Sequence, residues 1–197
     1  MVRSFQLRPV PPEAVSEIMD NARRAPSAGF SQGSAFLVIE GEAEARAFWD
    51  LTYPIARRAE WRWPGLFNAP VVIVCLSSRE AYLDRYAEPD KGHTDRSESR
   101  WPVPYWDIDT GFAAMIILLS AVDLGLGALF FGLGGVGSGM RGETDFSRLR
   151  DAYLIPDTYR PIGAIAVGYA ASDMPNPSLK RGRRPAETVV HRGSWGS

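Results

Sequence analysis

Residues 70–76, Pro-Val-Val-Ile-Val-Cys-Leu, form an apolar run with no polar alternation. A strand with one wet face alternates, so an unbroken β-branched run of this length predicts a strand covered on both faces. The rest of the chain must then supply two apolar covers. Three further strands are predicted, at Ala35–Ile39, Leu126–Phe131 and Pro161–Tyr169. A first helix opens at Pro11-Pro12-Glu13, carries the stripe Val15, Ile18, Met19 and Ala22, and stops before Pro26. A second covers about Glu42 to Leu51, with Phe48 and Leu51 inward and Pro54 as its stop. Trp61 and Trp63 flank a predicted turn at Pro64-Gly65. Thr110 to Asp123 reads as a helix capped by Asp107 or Asp109, apolar nearly all round and hence central, with Gly125 as C-terminal cap. A last helix runs from Thr144 to Tyr153, with Phe146, Leu149 and Tyr153 apolar.

Between the first helix and the first strand lies Ala22 to Gly33, ARRAPSAGFSQG. It holds almost nothing that builds a core. Arg23 and Arg24 suit a helix C-terminus. The small residues Pro26, Ser27, Ala28 and Gly29 leave backbone polar groups bare, and Ser27 adds a hydroxyl. A flat polar ring can approach such a segment closely.

This loop, placed after an amphipathic helix and before an apolar strand, resembles the flavin loop of the FMN-dependent nitroreductase family. Two distant segments match as well: Asp109-Thr110-Gly111-Phe112-Ala113-Ala114 leading to Leu124-Gly125-Leu126-Gly127, and Gly182-Arg183-Arg184-Pro185 near the C-terminus. The resemblance implies an α+β fold with a central, mainly antiparallel or mixed sheet flanked by helices, in an intertwined homodimer. It implies a single domain over 1–197, a lid or insert at 77–106, and a C-terminal extension over 171–197 that crosses onto the partner. FMN is the implied cofactor and NAD(P)H the implied electron donor, with a small organic acceptor such as a nitroaromatic or quinone. Its ring and ribityl would meet Pro26, Ser27 and Ala28 of the second subunit, with Phe130, Phe131, Gly132 and Leu133 along the ring. Arg183 and Arg181 would grip the phosphate, joined by Arg3. Trp101, Tyr105 and Trp106 would shape the substrate pocket. Departures are visible. Met1 falls where the family's N-terminal basic cluster has serine, and Gly33-Ser34 stand where many relatives have Pro-Trp.

Other chemistries are excluded by pattern. Gly132 to Gly137 satisfies G-x-G-x-x-G, but Gly139 and Gly142 follow it and no helix opens there, so it is not a dinucleotide fingerprint. His93 lies among acidic residues without a second ligand at metal spacing, so no metal site is expected. No Ser-His-Asp or Cys-His arrangement stands out, and no catalytic residue is assigned. The single Cys75 sits in the apolar strand and is expected to be buried and inert. A net charge of -1 gives no reason to expect nucleic acid or an anionic membrane as partner. No hydrophobic leader follows Met1, and the longest apolar run, Phe112 to Val122, is about half a membrane span. A cytoplasmic enzyme is expected. Flavin-fragmenting or dehalogenating chemistry on the same fold, and flavin binding without turnover, are the alternatives.

Overall fold

The structure, a computed structural model, describes residues 1–53, 55–58, 60–133, 146–172 and 182–196. Among them lie helices α1 (Pro12–Ala22), α2 (Glu42–Thr52), α3 (Ile55–Arg58), α4 (Arg79–Tyr86), α5 (Tyr105–Asp123) and α6 (Ser147–Tyr153). The strands are β1 (Ser34–Glu40), β2 (Val71–Ser77), β3 (Gly127–Phe131) and β4 (Arg160–Gly168). They form one sheet in the order β1-β2-β4-β3, and every neighbouring pair is antiparallel. Ser34 stands opposite Ser77 and Glu40 opposite Val71, which fixes the two ends of the sheet.

β2 is buried along its whole length. Its period-2 geometry sends Val71, Ile73 and Cys75 to one face and Val72, Val74 and Leu76 to the other. The first set packs with Ile165 and Val167 under Val15 and Ile18 of α1 and Ala114 and Ile117 of α5. The second packs with Ala164 and Ala166 under Phe48 and Trp49 of α2 and Leu149 of α6. The unalternating strand is thus the middle of a three-layer body with helices on both faces.

The helix boundaries carry two corrections. α5 begins at Tyr105, so Asp107 and Asp109 lie inside it and neither is its cap. The Pro104 carbonyl accepts the first amide bonds, from Asp107 and Ile108, and a proline needs no partner for a missing N–H. Within 77–106, charge density hid the helix α4, which Ser78 caps by accepting the Ala81 amide at 3.3 Å. The helix predicted from Thr144 begins at Ser147, and its first predicted residues lie outside the described set. α5 does end as expected. Gly125 takes φ 71°, and the Leu126 and Gly125 amides return to the Ala121 and Val122 carbonyls, a Schellman turn.

α5 has two faces. Ala113, Ala114, Ile117 and Ala121 pack inward, whereas Phe112, Met115, Leu119 and Val122 form an exposed apolar stripe. Its 19 residues are long and apolar enough to cross a membrane, but the inward face seats it on α1 and the sheet as a core helix.

Several buried groups are held neutral. Burial raises the Tyr53 and Tyr153 phenols, and burial with the neighbouring Asp109 raises Tyr82. The Cys75 thiol is pushed up to about 12 by burial. These groups ionise more readily in the unfolded chain, so their contribution is full below the unfolded values and is lost as pH rises past them. Unfolding in denaturant should therefore show a midpoint that falls between pH 8 and pH 11. Cys75→Ala should flatten that fall, because a shift from 9.0 to about 12 is worth ~4 kcal/mol once fully expressed.

Candidate functional site

The segment between α1 and β1 is an ordered, left-handed loop. After α1, the Arg23, Arg24 and Ala25 amides return to Met19, Asn21 and Ala22. Ser27 is extended, and a single turn over Ala28–Phe30 is closed by the Phe30 amide on the Ser27 carbonyl at 2.9 Å. Gly29 takes φ 62°, and Phe30 and Gln32 take 57° and 51°. Left-handed backbone costs a non-glycine residue about 1–2 kcal/mol, so something must hold it in place.

Three contacts do so. The buried Asp109 of α5 accepts the Ala28 amide and the Tyr82 hydroxyl on the same oxygen, Oδ2, each at 2.7 Å. Arg85 of α4 donates to the Gly29 carbonyl at 3.1 Å and clamps Asp90 with both terminal nitrogens at 2.6 and 2.7 Å. The loop also lies so close to α4 that side chains would not fit. A Cβ on Gly29 would stand 2.5 Å from the Tyr86 ring, and one on Gly33 would stand 2.6 Å from the Tyr82 ring and 2.9 Å from the Ser78 carbonyl. Just beyond, Thr110 donates to the Trp106 carbonyl at 2.7 Å, so Ser34 must donate the 2.9 Å bond between the two hydroxyls. The Ser27 hydroxyl accepts the Gln32 amide at 3.0 Å, which leaves its own hydrogen for another acceptor.

The aromatic residues of 77–106 back this loop from behind α4. Trp101 touches Tyr86, Tyr82, Tyr105 and Trp106 at centroid distances of 4.5, 5.7, 5.6 and 6.3 Å. Ion pairs fasten the same excursion to α4: Arg79 to Glu98 at 3.0 Å, and Arg96 to Asp84 at 2.8 Å and to Glu80.

The other expected residues lie elsewhere. Arg3 places its guanidinium 5.1 Å from the Trp63 ring centroid, and the neighbouring Val2 amide bonds to Ala128 at the start of β3. By register that is the Glu40 end of the sheet, whereas the loop enters at Ser34. The six strand steps between them span about 20 Å. Within one subunit, Arg3 and Pro26–Ala28 therefore sit at opposite ends. Phe130 is set over Gly163, Phe131 stacks on Trp49 at 5.3 Å, and Leu133 is buried. Gly132 is exposed, its carbonyl accepting from Tyr53 at 3.0 Å. Arg183 is exposed, as is every residue from 182 to 190, and Arg181 lies outside the described residues.

The sequence reading missed Asp109, Tyr82 and Arg85 as the loop's supports. In the sequence Asp109 reads as a possible helix cap and as part of a family-matching segment, not as a support for the loop. Replacing it by alanine strands the Ala28 amide and the Tyr82 hydroxyl, at about 1–3 kcal/mol each. Asp109→Ala should lower unfolding stability by about 2–6 kcal/mol and speed hydrogen exchange at the Ala28 amide, while Asp109→Asn, which keeps one acceptor, should do less.

Comparison with known proteins is consistent across sequence and structure. The description "Nitroreductase family" matches residues 1–169 of this chain. A Methanothermobacter thermautotrophicus protein, provisionally named an NADH dehydrogenase/NAD(P)H nitroreductase, is 26% identical over 174 residues, covering 87% of this chain and 73% of its own length. The NfrA1 nitroreductase of B. subtilis superposes with a TM-score of 0.68 at 19% identity, over 98% of this chain and 70% of that one. An FMN-dependent nitroreductase of Clostridium difficile R20291 gives a TM-score of 0.63 at 22% identity, over 98% and 94%. The match over residues 1–169 takes in the sheet, the helices on both of its faces and the Asp109-held loop, and the chain belongs to the nitroreductase family.

Proposed function

We propose that this family member is an FMN-dependent NAD(P)H oxidoreductase that reduces a small organic acceptor, nitroaromatic or quinone-like, as a cytoplasmic homodimer. The observation that carries the reading is the Asp109-held loop. It presents Pro26, Ser27 and Ala28 as a small-residue edge with a free hydroxyl hydrogen, held by the Ala28 amide bond to Asp109. That chemistry fits the polar rim of a flavin ring. The phosphate needs fixed cations, and guanidinium forks suit it best. Arg183, Arg181 and Arg3 are the proposed ligands.

Two features support assembly across a two-fold axis. Arg3 and the loop lie about 20 Å apart in one subunit, so a single flavin that uses both draws them from different chains. The exposed stripe Phe112, Met115, Leu119 and Val122 runs along about 15 Å of α5 and suits a second copy of itself. The exposed tail carries Val189 and Val190, both half exposed, as apolar contacts for that partner. The 77–106 excursion, with Trp101, Tyr105 and Trp106, is proposed to border the acceptor pocket from behind the loop.

FMN held by the Pro26–Ala28 edge and the proposed arginines would supply two-electron chemistry between NAD(P)H and the acceptor, in a ping-pong cycle. The chain's own part is to bind, orient and exclude water. Cys75 takes no part as nucleophile, being fully buried with its thiol pushed up to about 12.

The direct test is the visible spectrum of the purified protein together with NAD(P)H oxidation driven by a nitroaromatic or a quinone. A colourless protein that ignores added FMN defeats the proposal, and flavin destruction under O₂ with reductant would move it to the fragmenting branch. Arg183→Ala should weaken FMN binding tens- to thousands-fold in a flavin titration, following the roughly 2–5 kcal/mol of a truncated buried charge partner. Leu119→Glu, on an exposed face that the single subunit does not need, should give a folded monomer in sedimentation that no longer retains FMN.

A further inference from the structure

A cleft of about 530 Å³ opens at the Ser77 end of the sheet, between the first turns of α4 and α5 and the segment that joins α6 to β4. Its volume lies within the range of small-molecule sites. Trp106, Tyr159 and Pro104 supply an apolar wall. Among the described residues, neither Arg3, nor Pro26–Ala28, nor Phe130–Leu133 lines it.

The charges on its walls are committed to one another, with one exception. Both oxygens of Asp107 are taken, by the Ser77 hydroxyl at 2.7 Å and by Arg160. Glu80 takes Arg79 on one oxygen and Arg96 on the other, and Arg79 also reaches Glu98 at 3.0 Å. Those two pairs of arginines and glutamates balance. Arg150 is held loosely. Its Nη2 donates to the Tyr159 carbonyl at 3.3 Å, and its Nη1 stands 3.6 Å from Asp157, beyond hydrogen-bond length. The Asp157 side chain is 97% exposed, so this pair contributes little and is readily exchanged. The Arg150 Nε is sealed and offers nothing to a ligand. The side chain is nonetheless 31% exposed, so a ligand meets it beyond Nε, where the two terminal nitrogens lie.

One guanidinium with a replaceable partner fits one carboxylate, which two parallel N–H bonds can hold. A dianionic phosphate would bring a second charge towards Asp107, Glu80 and Glu98, with no uncommitted cation on the walls to balance it. We propose that this cleft binds a small aromatic carboxylate. Its carboxylate displaces Asp157 from Arg150, and its ring lies against Trp106 and Tyr159. The site stands on Arg150 and needs no flavin.

Benzoate tests this in a titration of the full chain followed by amide NMR at low ionic strength, with and without added FMN. Saturable shifts are expected at Arg150, at 157–160 and at the Trp106 indole, with the same affinity in both series. Arg150→Gln should weaken binding about tenfold or more, because it removes the charge and the fork. Asp157→Asn should tighten it about threefold, because the internal competitor for Arg150 is gone. Benzamide, the neutral counterpart, should bind about tenfold or more weakly than benzoate. Should Arg150→Gln fail to fold, the exposed Asp157→Asn and the benzamide comparison still decide. Shifts that do not saturate, an affinity indifferent to Arg150→Gln, or one lowered by Asp157→Asn overturns the proposal. So does displacement by FMN or an equal loss in Arg183→Ala, which would place benzoate on the flavin's phosphate ligands. Binding of phenyl phosphate about tenfold tighter than benzoate overturns the carboxylate class.

Discussion

One buried oxygen ties three segments together. Asp109 Oδ2 receives the Ala28 amide from the loop and the Tyr82 hydroxyl from α4, while its own backbone belongs to α5. The loop has left-handed residues at Gly29, Phe30 and Gln32 and little apolar surface of its own. It cannot hold that shape by burial, so polar bonds from a rigid helix do the holding. Because α5 packs against both α1 and the sheet, the position of the loop is inherited from the core. If the loop is the ligand edge proposed above, its bonds mean that little ordering is needed at binding, which conserves affinity.

The same helix leaves one apolar face uncovered among the described residues. α5 buries small residues, Ala113, Ala114 and Ala121, against its own fold and turns large ones, Phe112, Met115, Leu119 and Val122, outward. Small residues let the helix approach the strands closely. The outward stripe is apolar surface without a partner among the described residues, of the kind that marks an association site. A face that is exposed in the monomer and apolar in sequence reads as core, which is why the periodicity of this helix alone placed it at the centre of the fold.

Much of the architecture was legible in the residues. The unalternating run at 70–76 required cover on both faces, and α1 with α5 and α2 with α6 supply it. The stripe of α1, the glycine that ends α5 and the inert Cys75 followed from local rules. The missed features are those whose cause lies far away in the chain. Ser78 caps a helix whose charged surface hides its periodicity, and only Tyr82 and Leu83 of α4 are buried. Asp109 reads as a cap because aspartate near a helix start usually is one; its role comes from residues 81 and 27 positions away.

The sequence by itself determined the apolar and amphipathic elements and the small-residue loop, because periodicity, β-branching and turn residues act over a few positions; the family followed from the resemblance of separated segments. Only the tertiary structure decided what holds that loop and that Arg3 stands at the far end of the sheet from it. Those depend on strand order and register, which bring together residues that no local pattern connects.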